Sequence, residues 1–203
     1  MSAVRGIDLF QTYWGSPWIA HTILSFDFSD GQHLAYSIET RKEIGESYST
    51  IAGFFRQYEL IYIAADERDV VRLRSNYRQG ELVYLFHTRA GPERSRAILL
   101  QYLERSNELH NHPEWYNALT DNCTTNIRVH TAATAGDHPE PWDIRILLNG
   151  KLDQLLYERQ ALAGSGPLAE LKQRAYINPV AKAADQDPDF SSRIREGRPG
   201  FTP

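Results

Sequence analysis

The stretch from Ala20 to Arg41, AHTILSFDFSDGQHLAYSIETR, contains two runs in which apolar and polar residues alternate. Alternation with a period of two is typical of β-strands with one buried face. The runs flank Ser29-Asp30-Gly31, and a three-residue loop with a left-handed glycine commonly closes a hairpin. In this register His21 lies opposite Glu39, whereas a slip of one residue would turn His21 towards the apolar face. We therefore predict a hairpin whose core face carries Leu24, Phe26, Phe28, Leu34, Tyr36 and Ile38.

The rest of the chain places strands before helices. Apolar patterns predict strands at Glu59 to Ala65 and Glu81 to Phe86, a shorter one at Val70 to Leu73, and helices at Arg94 to Leu109, Asp121 to His130 and Trp142 to Leu156. This order predicts an α+β fold, with a twisted antiparallel sheet packed on helices. The nearly continuous apolar character of the strand at Glu59 predicts a central position, buried on both faces. A charged turn follows it, and we expect Arg72 or Arg74 to reach an acidic partner.

The overall composition indicates one soluble domain over residues 1–203. Of these residues 41% are hydrophobic and 24% are charged, which is ordinary for a globular protein. The formal net charge of -4 argues against a nucleic-acid partner. Glycine, proline and charge accumulate near the end, so we predict an extended C-terminal tail over residues 165–203. Met1 is the only methionine, and we expect an upstream segment to be missing.

The single cysteine, Cys123, is the strongest candidate for chemistry. One cysteine excludes an intramolecular disulfide and a zinc site built from several thiolates. A nucleophilic cysteine needs a lowered thiol pKa, and a helix N-terminus lowers that pKa. Cys123 lies where the second predicted helix begins, and donors at Asn122, Thr124 and Asn126 could bind a developing oxyanion. The alternative is that Cys123 is a small buried side chain without chemical function.

A thiol nucleophile also needs a base, and His21 with Glu39 opposite it supplies a base and the group that orients it. His130 is an alternative base, because it lies seven residues after Cys123 and on the same side of a helix. A metal site formed by His110, His112 and Glu114 is a weaker alternative. The preferred hypothesis requires no metal and no cofactor.

Three longer runs carry a family resemblance. The runs YWGSPWIAHTILSFDFSDGQHLAYSIETRKEIGESYS, GFFRQYELIYIAADERDVVRLRSNYR and NELHNHPEWYNALTDNCTTNI closely resemble the Lnb N-terminal periplasmic domain family of bacteria. The resemblance covers roughly residues 7–160, and DPDFSSRIREG near the C-terminus fits it too. It implies a periplasmic location, often after N-terminal membrane helices. The family is named for a lipoprotein N-acyltransferase.

A more distant similarity is to circularly permuted NlpC-like thiol enzymes, which include the lecithin:retinol acyltransferase group. In those enzymes a histidine on a strand precedes an Asn-Cys pair that opens a later helix, and His21 and Asn122-Cys123 match that order. The similarity implies a permuted papain-like fold. It also suggests His33 as an orienting residue, although Glu39 is favoured because it lies opposite His21.

Together these resemblances imply a cysteine-dependent acyltransferase or acyl hydrolase that acts on a lipid or lipoprotein. A cell-wall amidase or peptidase acting on peptidoglycan would use the same residues. A non-catalytic envelope module is the third hypothesis.

Overall fold

The computed structural model describes residues 2–41, 58–116, 123–133, 143–146 and 149–201. The strands are β1 (Val4–Tyr13), β2 (Ala20–Phe28), β3 (His33–Arg41), β4 (Glu59–Ala65) and β5 (Leu82–His87). The helices are α1 (Glu67–Arg72), α2 (Pro92–Asn111), α3 (Cys123–Ala133), α4 (Leu152–Glu158), α5 (Leu168–Ala175), α6 (Asn178–Ala183) and α7 (Phe190–Arg193). A π-helical turn (Leu73–Tyr77) follows α1, and short 3-10 turns lie at Ile144–Ile146 and Asn149–Lys151. The fold is therefore α+β, as predicted.

The strands form one antiparallel sheet in the order β4-β3-β2-β1-β5. The predicted β2–β3 hairpin is confirmed with its register, since Ile23 pairs with Ser37 and Asp27 with His33. Gly31 adopts φ of 82°, the left-handed conformation that the loop requires. His21 and Glu39 consequently lie on one face, while Leu24, Phe26, Tyr36 and Ile38 point to the other.

Two predictions about strands are wrong. The strand β4 lies at an edge of the sheet, whereas a central strand was expected. The strand β2 is the middle one of the five, and its second neighbour is β1, which the sequence pattern did not reveal. The segment Val70 to Leu73 is helical, because the Asp66 side chain accepts a hydrogen bond from the Arg68 backbone N–H and caps α1. Glu67, expected in a charged turn, is fully buried as the first residue of that helix.

Each face of the sheet is covered by its own core. The first core lies against α2, α3 and α4 and includes Ile7, Leu9, Leu24, Phe26, Tyr36, Ile38, Ile98, Tyr102 and Leu152. The second core lies against α1, α6 and α7 and includes Phe10, Ile23, Ala35, Val71, Val83, Leu85, Ile177, Phe190 and Ile194. The sheet is thus buried on both sides, and side chains of successive strand residues enter different cores.

The C-terminal residues differ from the predicted extended tail. They form α5, α6 and α7, and Ile177, Phe190 and Ile194 are completely buried in the second core. Charge and proline dominate the composition of this segment, but its few apolar residues are spaced so that each reaches the sheet. These residues therefore complete the core.

A buried ion cluster fixes this segment to the sheet. Arg195 donates to Asp8 of β1 at 2.7 Å and to Glu67 of α1 at 2.6 Å. Burial alone would raise the pKa of Glu67, but the guanidinium of Arg195 outweighs burial and lowers that pKa to about 2. Glu67 and Arg195 are therefore both charged at neutral pH.

We expect Arg195→Ala to lower the free energy of unfolding by about 3–5 kcal/mol, because the substitution leaves two buried carboxylates without their cation. Urea unfolding followed by circular dichroism measures this change. Arg193→Ala is the matched control: Arg193 is half-exposed and pairs with Glu196, so a loss below about 1 kcal/mol is expected. Equal losses in the two variants would contradict a structural role of the buried cluster.

Candidate functional site

His21 and Glu39 meet on neighbouring strands, as their register requires. The His21 Nε2 atom lies 2.7 Å from Ser37 Oγ and 3.1 Å from Glu39 Oε1. Ser37 donates its hydroxyl proton to Glu39 Oε1 at 2.8 Å. The hydroxyl proton of Ser37 is thus used in the bond to Glu39, so Ser37 can only accept from His21. In this arrangement Nε2 carries the imidazole proton and donates it, and the basic lone pair of the ring is on Nδ1. A base acting here would therefore use Nδ1.

Arg74 also holds the Glu39 carboxylate. Its Nη2 atom donates to Glu39 Oε1 at 2.8 Å and its Nη1 atom to Glu81 Oε2 at 3.2 Å. Burial by itself would raise the pKa of Glu39, but the charges of His21 and Arg74 and the hydrogen bonds to the carboxylate hold that pKa well below its usual range. Glu39 therefore stays ionised. The expectation that Arg72 or Arg74 reaches an acidic partner is confirmed for Arg74.

The other candidate orienting residue, His33, lies at the far end of the hairpin. Its Nε2 atom is 3.5 Å from Asp27 Oδ1, and its side chain is largely buried there. The geometry therefore places Glu39, and not His33, against His21.

A cavity of about 670 Å³ opens beside the His21–Glu39 pair. Most of its lining belongs to the sheet face that carries the second core, and it also includes Ile38 and Tyr116, which belong to or pack against the first core. The described lining also includes Trp14, Ile19, Ile61, Ile63, Asp69, Leu73, Arg74, Arg78, Glu81 and Asn149. The pair is thus accessible to a bound molecule.

Cys123 is the first residue of α3, within one turn of the helix start as expected. Asn122 and the Cys123 side chain lie outside the described residues. Of the other predicted oxyanion donors, Thr124 is buried, and the Asn126 side chain accepts a hydrogen bond from Tyr62 at 3.0 Å. The body of α3 packs against the first core, whereas His21 projects from the opposite face of the sheet.

His130, the alternative base, occupies a closed polar site within the first core. Its Nε2 atom lies 3.0 Å from the Tyr62 hydroxyl, and its ring lies 4.4 Å from that of Tyr102. Burial, aided by the charge of Arg105, lowers the pKa of His130 to about 4. Seven helical residues separate it from Cys123, or about 10 Å along the axis. That separation exceeds hydrogen-bond reach, so the geometry does not favour His130 as the base.

The weaker metal hypothesis finds no support within the part of the chain that the structure describes. No three His, Cys, Asp or Glu side chains in that part come together as a metal site requires. Glu114 instead pairs with Arg105 at 2.6 Å.

A second cavity, of about 300 Å³, lies between α3 and the face of the sheet that carries the first core. Its apolar lining consists of Ile7, Leu9, Leu24, Ile98, Ile127, Ile146, Leu152, Leu155 and Leu156, together with alanines. Arg89, Arg94, Arg128 and Arg159 also line it, and its described lining contains no Asp or Glu. Thr124, the residue after Cys123, belongs to this lining, so the cavity adjoins the first turn of α3.

We expect His130 to remain neutral down to about pH 4 in the folded chain. Because its folded pKa lies below its unfolded value of about 6.5, protonation favours the unfolded chain, and stability falls as pH drops from about 6.5 to 4. NMR titration of the ring signals measures the folded pKa directly. In Tyr62→Phe the pKa should stay depressed, since burial is the main cause. A midpoint near 6.5 in the native chain would contradict the buried position.

Comparison with known proteins identifies the family. The sequence model of the Lnb N-terminal periplasmic domain matches residues 1–150, which include His21, Glu39 and Cys123. No curated protein and no solved structure matched the chain. In the described residues, no helix is both long enough and apolar enough to cross a membrane. Because the family model covers most of the chain, the protein belongs to the Lnb N-terminal periplasmic domain family, which supports a periplasmic location.

Proposed function

We propose that this chain is a cysteine-dependent acyltransferase or acyl hydrolase acting on a lipid or lipoprotein of the cell envelope. Cys123 is the nucleophile, His21 is its base and Glu39 orients the imidazole. The observation that carries the proposal is the His21–Glu39 contact, at 3.1 Å, with the carboxylate also held by Ser37 and Arg74. A base whose partner is fixed in advance is a recurrent feature of thiol and serine nucleophile sites.

The position of Cys123 at the start of α3 supports its role. The first N–H groups of a helix lack partners within the helix, and the helix dipole places partial positive charge there. Both effects stabilise a thiolate and an oxyanion. The lining of the cavity beside His21 also includes Tyr116, the last described residue before Cys123 in the chain.

The reaction has two steps. His21 Nδ1 takes the thiol proton, and the sulfur attacks the carbonyl carbon of an ester to form a tetrahedral oxyanion. When this collapses, the C–O bond breaks, the leaving alcohol takes the proton from the imidazolium, and a thioester remains on Cys123. An amine or water then attacks the thioester, gives its proton to His21, and releases the acyl group with the free thiol.

The apolar cavity beside α3 favours a lipid over a cell-wall peptide. Its lining is mostly aliphatic, and such a surface suits an acyl chain better than the polar glycan and peptide of a cell wall. The four arginines, with no carboxylate in the described lining, also suit an anionic headgroup. A cell-wall amidase or peptidase remains the second candidate, because it would use the same Cys-His pair.

The proposal includes a fold relationship and a location at the membrane. A histidine on a strand, followed later in the chain by a cysteine that opens a helix, is the order of permuted papain-like thiol enzymes. We assign this chain to that arrangement. Its periplasmic family and proposed lipid substrate both favour a place close to the membrane, with anchoring supplied by a segment upstream.

Thiol reactivity tests the proposed pair. Iodoacetamide should label Cys123 in the native chain at pH 6, because pairing with His21 lowers the thiol pKa below its usual value of about 8.5. We expect His21→Ala to slow this labelling by more than about tenfold and Glu39→Gln to slow it less, since Glu39 acts through the imidazole. Intact-mass spectrometry gives the rates.

His33→Ala is the matched control, because His33 lies on the same hairpin but contacts Asp27 instead of Glu39. Its labelling rate should equal that of the unmodified chain. Labelling that occurs only after unfolding would show that Cys123 is an inert buried residue. Labelling that depends on His130 and not on His21 would show that the base is misassigned.

The acyl-enzyme itself provides a second test. After incubation with a phospholipid, intact mass should increase by one acyl group, and hydroxylamine, which cleaves thioesters, should remove it. Cys123→Ser should form no thioester. If a peptidoglycan fragment is cleaved while phospholipids leave no adduct, the amidase or peptidase hypothesis replaces the lipid hypothesis.

A further inference from the structure

One oxygen of the Glu39 carboxylate is surrounded by three polar groups. Its Oε1 atom lies 2.8 Å from Arg74 Nη2, 2.8 Å from Ser37 Oγ and 3.1 Å from His21 Nε2. A carboxylate at that distance draws a second proton onto an imidazole, and a ring with both nitrogens protonated cannot act as a base. A cation beside Glu39 opposes this effect and keeps the imidazole neutral to lower pH.

Arg74 is the cation in that position. Its side chain is only 6% exposed, and its second terminal nitrogen donates to Glu81 Oε2 at 3.2 Å. Glu81 also accepts from Arg78 at 3.3 Å. These two carboxylates and two guanidiniums form a chain whose formal charges cancel. Because Arg74 is buried, water screens its charge less than that of Arg78, whose side chain is 46% exposed.

The other groups that face the imidazole leave Arg74 as the main influence on its charge. Among the described residues, the titratable groups that line the cavity with His21 are Glu39 of β3, Asp69 of α1, Arg74 of the π-helical turn, Arg78 and Glu81 before β5, and Tyr116. Asp69 is exposed, so its charge is screened by water. The partner of His21 on β1 is Thr12, which is uncharged. Arg74 is therefore the buried cation of this lining.

The backbone that carries Arg74 is held by the C-terminal part of the chain. Arg74 lies in the π-helical turn Leu73–Tyr77, and such turns are rare and frequent at functional sites. The side-chain amide of Asn76 in this turn donates to the Ala181 carbonyl oxygen of α6 at 3.0 Å. The guanidinium thus has a fixed place beside Glu39.

We propose that Arg74 is a positioning residue of the candidate base: paired with Glu39, it keeps the imidazole of His21 uncharged near neutral pH, with Nε2 donating and Nδ1 able to accept a proton. This inference rests on the proposed function, in which the proton taken by Nδ1 then comes from the thiol and not from solvent. An arginine with a purely structural role would support the shape of the site without influencing the charge of His21.

NMR titration of the His21 ring tests the role of Arg74. All titrations use the full chain with Cys123→Ser, so that no thiol competes for the proton. We expect Arg74→Gln to raise the midpoint by about one pH unit or more, because a positive charge next to the Glu39 carboxylate is lost. Arg74→Lys keeps that charge and should leave the midpoint close to its original value.

Arg41→Gln is the matched control. Arg41 lies on β3 two residues after Glu39 and pairs with Glu59, but its side chain is 68% exposed. The substitution removes the same charge where water screens it, so the midpoint of His21 should not change.

Arg74→Gln leaves two largely buried carboxylates without their shared cation and is the variant most prone to unfold. A Glu39→Gln background avoids this problem. Glu39→Gln should lower the midpoint of His21, and adding Arg74→Gln should raise it again, because the second substitution removes only a positive charge.

The proposal is overturned if Arg74→Gln leaves the midpoint unchanged in both backgrounds, or if Arg74→Lys shifts it as far as Arg74→Gln does. Iodoacetamide labelling of Cys123 that ignores His21 would refute the proposed function and not this result, since the titrations contain no thiol. The two failures are therefore distinguishable.

Discussion

The guanidinium of Arg195 lies buried between the carboxylates of Asp8 and Glu67, with nitrogen–oxygen distances of 2.6–2.9 Å. Removing Arg195 would leave two buried carboxylates without the cation that binds both, so the cluster depends on this one side chain. Glu67 begins α1, and the π-helical turn after α1 carries Arg74, which holds Glu39 beside His21. The geometry of the candidate site therefore depends on a contact made by the last helical segment of the chain.

This dependence crosses the boundary of the family match, which ends at residue 150. The strands that carry His21 and Glu39 lie inside the match, but the second core beneath them is completed by Ile177, Phe190 and Ile194. These three residues are fully buried, so their removal would expose the sheet face from which His21 projects. A C-terminal truncation should therefore disturb the imidazole even though it removes no candidate catalytic residue.

Local patterns predicted the fold where interactions are local, and failed where they are not. The β2–β3 register follows from one short loop, so the meeting of His21 and Glu39 could be predicted. The strand β1 was missed because its polar residues are satisfied by distant partners: Asp8 by Arg195, and Gln11 by the backbone of Asn149. For the same reason Glu67 was assigned to a charged turn. Hydrophobic periodicity cannot reveal a charge that is buried beside a partner far along the chain.

The two faces of the sheet separate the two parts of the proposed site. The helix α3 and the apolar cavity belong to the first core, while His21 and Glu39 face the second core. Side chains on opposite faces of a strand point away from each other, so His21 projects away from the core against which the body of α3 packs. The lining of the cavity beside His21 nevertheless includes Ile38 and Tyr116, so that cavity borders residues of both cores.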